Sequence, residues 1–132
     1  MENDYLTYIK EHNLGGMISI AGFTDILPAQ VGAADCLISS SDEESFGITI
    51  VEALAAGVRV ISTDAPYGPR EILADGKYGR LVPVGDVDAM ASAIIDCIDG
   101  KIPIAPDESW QRYTLAAIEK RYAEALQISI NQ

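Results

Sequence analysis

Short apolar segments alternate with helical patterns along this chain, and this alternation restricts its fold more than any other feature. Apolar strands are predicted at 17–21, 35–39, 58–62 and 79–83. Short apolar strands separated by helices are typical of parallel sheets whose two faces are covered by helices. The chain is therefore expected to have an α/β fold, a Rossmann-like parallel sheet of about four strands with flanking helices.

Helical patterns precede, separate and follow these strands, at 5–11, 27–33, 48–56, 70–73 and 87–98. Asp86 is placed to cap the helix 87–98, and Gly57 to end the helix 48–56. A linker with two prolines at 101–106 precedes a continuous terminal helix predicted over 107–126. The length of 132 residues allows one domain with a core of its own, so 1–132 is predicted to be a single domain.

Composition excludes several classes of protein. The net charge is −11, and the nine basic residues are scattered, which argues against nucleic acid or an anionic membrane surface as a main partner. No apolar run approaches the roughly 20 residues needed to span a bilayer, and the N-terminus lacks the basic region of a secretory signal. Cys36 and Cys97 lie in apolar stretches and are predicted to be buried thiols in a reducing, cytoplasmic compartment.

Two long loops follow predicted strands. Residues 39–47 are polar, and residues 63–69 are rich in proline and glycine. Ligands of parallel sheets bind at the carboxyl ends of the strands, and unusually long loops concentrate function. We therefore expect a binding site where these two loops meet.

The segment 44–57 contains the residues that are candidates for binding and catalysis. Gly47 lets the backbone approach a ligand, and the N–H groups near Ile48 and Thr49 form an anion site at a helix start that suits a diphosphate. Glu52 is the only charged residue in an otherwise apolar helix, so its carboxylate either destabilises the fold or has a functional role. The alternative is that Glu44 is a solvated loop acid and Glu52 an exposed helix acid.

The segment 44–57 resembles the E-x7-E region of the retaining glycosyltransferases of family 4, also called glycosyl transferases group 1. The resemblance runs from about residue 5 to residue 122 and includes further motifs in matching order at 20–25, 34–41, 60–63, 68–73 and 75–83. The family has the GT-B fold, two Rossmann-like domains with the active site between them. The resemblance implies that this chain is part of the C-terminal, donor-binding domain and is truncated at its N-terminus.

The resemblance also implies roles for individual residues. Glu44 would lie near the donor-sugar hydroxyls as the catalytic residue, and Glu52 would accept hydrogen bonds from the ribose. Ser45 replaces the more usual glycine. Arg70, in the loop that closes over the donor, is a phosphate or acceptor contact or else an exposed loop arginine. The complete implied donor-binding set is Glu52, Ser45, Phe46, Gly47, Ile48, Thr49, Gly68, Arg70 and Glu71.

The activity implied by the resemblance is transfer of a hexose or N-acetylhexosamine from a nucleoside diphosphate sugar to a glycan or lipid-linked acceptor. The reaction would retain anomeric configuration and need no metal or other cofactor. It would belong to polysaccharide biosynthesis, in the cytoplasm or at the membrane periphery. The acceptor-binding N-terminal domain and a basic pair that holds the phosphates in family members are both missing, so the isolated chain is expected to be inactive.

Two other classes of protein are the alternatives to this reading. A sugar-nucleotide epimerase of related fold would not reproduce the spacing of Glu44, Gly47 and Glu52. A receiver-like interaction domain would need an acid pair after its first strand, where this chain has Ala21-Gly22-Phe23.

The resemblance raises a question of sheet order. In the family's strand order, 3-2-1-4-5-6, the four predicted strands are the third to the sixth, and strands one and two are missing from the middle. The strand 17–21 is expected to move in beside 35–39. The alternatives are that two chains pair into a homodimer, or that the N-terminal segment stays detached.

Overall fold

The computed structural model describes residues 2–22 and 31–127. In chain order its elements are α1 (Glu2–Glu11), β1 (Cys36–Ser39), α2 (Ile48–Ala55), β2 (Arg59–Thr63), α3 (Pro69–Ile72), β3 (Arg80–Val82), α4 (Val87–Ile98), α5 (Glu108–Gln111) and α6 (Leu115–Leu126). The predicted helix 27–33 falls partly outside the described residues, but its residues 31–32 are helical. Most predicted elements are therefore confirmed.

The three strands form one parallel sheet in the order β1-β2-β3. The register places Ile38 beside Ile61, and Thr63 beside Val82. Because all three strands run the same way, their carboxyl ends lie at one edge of the sheet. The predicted α/β fold with a parallel sheet and flanking helices is confirmed, with three strands in the described part of the chain.

The core lies on both faces of the sheet. Val60 belongs to a larger cluster that includes Ile50 and Ile72, and the next residue, Ile61, belongs to a second cluster with Val82 and Ala93. Successive strand residues point to opposite faces, so β2 contributes to both cores. Helices α2 and α3 cover one face, and α4 covers the other.

The predicted strand 17–21 is wrong, and so is its expected pairing with β1. Residues 18–22 have no regular secondary structure, and the Met17 side chain is 84% exposed. The cause is the lack of a neighbour: the described sheet has three strands, and none of them pairs with this segment. A strand without a partner leaves its backbone groups to water and gains nothing from its apolar pattern.

The predicted terminal helix is divided in two. α5 ends at Gln111. Thr114, the N-cap residue before α6, has an extended backbone, and its hydroxyl accepts a hydrogen bond from Ala117 N at 3.4 Å. A threonine at this position offers the helix a new N-cap, which favours a restart over continuation. No helix in the described ranges, 2–22 and 31–127, is long and apolar enough to cross a bilayer.

Candidate functional site

The loops that follow β1 and β2 meet at the carboxyl edge of the sheet, as predicted. Thr63, the last residue of β2, donates its hydroxyl hydrogen to the carbonyl oxygen of Ser41 at 2.5 Å. The next residue, Asp64, donates its N–H to the carbonyl of Val82 at 2.7 Å. The first bond ties the loop after β1 to the end of β2, and the second ties the start of the loop after β2 to the end of β3.

Glu44 is held within the first loop. The Ser41 hydroxyl donates to Glu44 Oε1 at 2.7 Å, and the Glu44 side chain is half-buried. Together with the Thr63 bond, this makes a chain of contacts from β2 through Ser41 to the Glu44 carboxylate. Glu44 is therefore an oriented group rather than a freely solvated loop acid.

Gly47 shapes the start of α2. Its φ is +92°, and a Cβ added there would lie 3.2 Å from Ile50 Cδ1. No described side chain caps this helix, and its first N–H groups have no partner within the helix. With Ile48 63% exposed and Thr49 half-buried, the helix start offers unpaired donors and the positive end of the helix dipole to an anion.

Glu52 lies one turn further along α2 and is half-buried. Its Oε2 atom is buried and has no hydrogen-bond partner in the described part of the chain. Its neighbours Ala53 and Leu54 belong to the larger core cluster. A carboxylate oxygen in such surroundings is destabilising unless a hydrogen-bond donor reaches it. A ligand hydroxyl would supply that donor.

Gly68 brings the second loop against the first. Its φ is +137°, and a Cβ at this position would overlap the carbonyl oxygen of Phe46. The Phe46 ring in turn packs edge-on against Tyr113, with 5.5 Å between ring centroids, while Ser45 is exposed. The structure thus joins 44–49 and Gly68 into one continuous surface.

Arg70 and Glu71 lie on α3, directly after this contact. Arg70 is exposed and forms ion pairs with Asp64 and, at 3.3 Å, with Asp75. It is therefore engaged with carboxylates rather than directed only at solvent. Glu71 is exposed and borders a cavity of about 440 Å³ that Phe46, Tyr113 and Arg121 also line.

Arg112 and Tyr113 support the site and were not identified from the sequence. Arg112 Nη2 donates to the carbonyl oxygens of Glu71 and, at 3.1 Å, of Ile72, at the end of α3. Burial raises the pKa of Tyr113. The sequence pattern predicted an unbroken helix here, and nothing local indicated contacts to residues some forty positions earlier.

The described residues contain no group of three or more His, Cys, Asp or Glu side chains that could hold a metal ion. The polar groups assembled here are backbone N–H donors, two carboxylates that accept hydrogen bonds, and hydroxyls that do both. That set is suited to a ligand with both phosphate and hydroxyl groups.

Comparison with known proteins gives a family match across most of the chain. The family described as "Glycosyl transferases group 1" matches residues 1–116. A phosphatidyl-myo-inositol mannosyltransferase of Mycolicibacterium smegmatis is 54% identical over 56 residues, which are 42% of this chain and 14% of the relative. The putative glycosyltransferase EpsD of Bacillus subtilis is 33% identical over 94 residues, which are 71% of this chain and 24% of that protein.

Solved structures agree in fold. The Anabaena protein HepE, crystallised with UDP-glucose, aligns with a TM-score of 0.82 and 26% identity over 95% of this chain and 36% of HepE. The C-terminal domain of LpcC, a glycosyl transferase group 1 protein of Francisella tularensis, aligns with a TM-score of 0.63 and 22% identity over 98% of this chain and 63% of that domain. The chain thus spans only 14% to 36% of the longer relatives described here.

Proposed function

Because this chain belongs to the glycosyl transferases group 1 family, we propose that it is the donor-binding part of a retaining glycosyltransferase. One observation carries the proposal: the uncapped start of α2 lies between two loops, one turn from the unpartnered carboxylate oxygen of Glu52. The family match favours this function over an epimerase or a receiver-like interaction domain.

The diphosphate of the donor is assigned to the start of α2. The N–H groups of Ile48 and Thr49 would donate to phosphate oxygens, and the left-handed turn at Gly47 sets the direction in which the helix begins. When the bond between the sugar C1 and the phosphate oxygen breaks, negative charge develops on the diphosphate. Preorganised N–H dipoles stabilise that charge more in the transition state than in the bound donor, without requiring a metal ion.

The two glutamates are assigned to the hydroxyls of the donor. Glu52 Oε2 would accept hydrogen bonds from the ribose, which satisfies its missing partner. Glu44, oriented by Ser41, would lie beside the sugar ring, with the exposed Ser45 next to it influencing which sugar fits. The loop from Gly68 to Glu71 would close over the donor. Arg70 would then leave its ion pair with Asp64 and bind a phosphate of the donor or the acceptor.

A uridine nucleotide is the first donor to test. HepE, which is 26% identical over most of this chain, was crystallised with UDP-glucose. A hexose or N-acetylhexosamine would pass from such a donor to a glycan or lipid-linked acceptor, in the cytoplasm or at the membrane periphery. The acceptor site and further phosphate-binding cations would come from parts of the enzyme outside this chain, so the chain alone would not turn over a donor. A homodimer stays a prediction, which analytical ultracentrifugation tests.

The binding experiment is a titration of the chain with UDP, followed by amide NMR. We expect weak binding, with the largest shift changes at Gly47, Ile48 and Thr49. Glu52→Ala should abolish the ribose-dependent part of the binding. Glu11→Ala, which removes an exposed acid on α1, should leave the titration unchanged.

Two results would contradict the proposal. Shift changes confined to the amino ends of the strands, near Cys36, would place the nucleotide elsewhere. Turnover of a nucleotide sugar by the purified chain would show that the rest of the enzyme is not needed for catalysis.

A further inference from the structure

The opposite edge of the sheet contains the two cysteines of the chain. Cys36 begins β1, and Cys97 lies in the last turn of α4. Both line a groove of about 380 Å³, together with Ile38, Arg59 and Ile98. This groove lies at the amino end of the strands, away from the loops that form the proposed donor site.

Both cysteines lie at the smaller core cluster. Cys97 is 8% exposed and belongs to this cluster, and Cys36 packs against it. Burial, and then the neighbouring Cys97 side chain, raise the pKa of Cys36 to about 12. The sequence-based prediction of two buried thiols thus holds fully for Cys97, while Cys36 is half-buried and borders the groove.

The surroundings make this pair different from two isolated core cysteines. They are the only cysteines of the chain, so neither has a competing intrachain partner. The groove is open to solvent, and Asp35 and Arg59 line it together with apolar side chains, so a small polar reagent can approach the two sulfurs. Reactivity of a cysteine depends on access as well as on thiolate formation, and the groove provides access.

We propose that Cys36 and Cys97 are a modification site that closes into an intrachain disulfide when the protein meets a low-molecular-weight disulfide such as oxidised glutathione. One cysteine thiolate attacks a sulfur of the reagent, forms a mixed disulfide and releases one glutathione thiolate. The second cysteine loses its proton to solvent and attacks the protein sulfur, releasing the other glutathione. The balance is one protein dithiol oxidised and one reagent disulfide reduced to two thiols.

The cross-link would close a loop of chain that runs from β1 to α4 and therefore includes both loops of the proposed site in its sequence. In space, the two sulfurs lie away from those loops. In the chain-entropy model, closing a loop of this length restricts the unfolded chain and raises the melting temperature by roughly 10 °C. Nucleotide binding should be unaltered, because the sulfurs lie at the other edge of the sheet.

The test uses the native chain, oxidised glutathione and intact-mass spectrometry. We expect a monomer lighter by the mass of two hydrogen atoms, loss of both titratable thiols, a higher melting temperature, and reversal by dithiothreitol. The reaction should accelerate as pH rises, because the thiolate of each cysteine is the nucleophile. Cys36→Ser and Cys97→Ser should each prevent the mass loss and instead retain a glutathione adduct.

Three outcomes would overturn the proposal. A covalent dimer on a non-reducing gel would show that the sulfurs pair between chains. A stable glutathione adduct on the unsubstituted protein would show that the second sulfur cannot reach the first. Two free thiols that survive in the folded chain but react after denaturation would show that the groove does not admit the reagent.

Discussion

At the scale of single residues, Gly68 is the position where an added methyl group has the clearest consequence. Its φ of +137° is unfavourable for any residue with a Cβ, and that Cβ would overlap the Phe46 carbonyl. We expect Gly68→Ala to lower the free energy of unfolding by about 2–4 kcal/mol and to separate the two loops of the site. Urea unfolding measures the first effect and UDP titration the second.

Gly15→Ala is the matched control for this prediction. Gly15 has an ordinary φ and no atom within 4 Å of an added Cβ. The control should change the free energy of unfolding by no more than about 0.5 kcal/mol. Equal effects of the two substitutions would show that the Gly68 loop can move aside at no cost.

Glu52 is expected to show a conflict between stability and binding. Its buried, unpartnered oxygen destabilises the unliganded fold, so Glu52→Met, which removes the charge at similar volume, should raise the free energy of unfolding by about 1 kcal/mol or more. The same substitution should weaken UDP binding. Urea unfolding with and without UDP measures both, with Glu52→Gln expected to fall between. A loss of stability in Glu52→Met would mean that the carboxylate has a protein partner after all.

At the scale of elements, α4 depends on its cap. The Asp86 side chain accepts a hydrogen bond from Ala89 N at 2.9 Å, whereas Asp107, at the corresponding position before α5, makes no such bond. Asp86→Ala should therefore cost about 1 kcal/mol of stability. Asp107→Ala should stay within about 0.5 kcal/mol of the parent, as for an ordinary surface change. Thermal unfolding of the pair of variants decides whether the cap bond matters in solution.

Elements could be predicted from the sequence where their signals are local. α4 was predicted with its observed bounds because Asp86 and an amphipathic pattern both specify it. The segment 17–21 has a strand pattern too, but a strand also requires a neighbouring strand, and its pattern says nothing about whether one is present. The break at Thr114 was missed because a threonine inside a helical pattern is weak information until tertiary contacts select the cap.

The geometric features of the candidate site could be predicted only where their signals are local. Gly47, Glu52 and the two long loops follow from local spacing and from a charge within an apolar helix. The bond between Thr63 and Ser41, and the contact of Arg112 with the end of α3, join residues 22 and 40 or more positions apart. Such pairs are fixed by how the elements pack, which a single sequence does not contain.

At the scale of the whole molecule, the described part of the N-terminal segment lies outside both core clusters. None of the side chains described between 4 and 22 is fully buried, and neither core cluster includes any of them. Removing residues 1–22 should change the free energy of unfolding by no more than about 0.5 kcal/mol. Chemical denaturation of the truncated chain measures this.

Removal of residues 115–132 is the contrasting truncation. It deletes α6, whose Ala123 is buried, and should cost at least about 1 kcal/mol. A large loss from the N-terminal truncation would show that this segment packs on the domain in solution.

The exposure of the side chains of α1 has an optical consequence. The chain has one tryptophan, Trp110, and it packs against the larger core cluster. Its fluorescence is therefore expected to follow the unfolding of the packed domain rather than that of α1. Circular dichroism in the far ultraviolet, in contrast, has a contribution from every helix. A helix of ten residues whose described side chains lie outside both core clusters melts gradually. Heating curves from the two signals will not superimpose, so a two-state fit to the dichroism alone would understate the cooperativity of the domain.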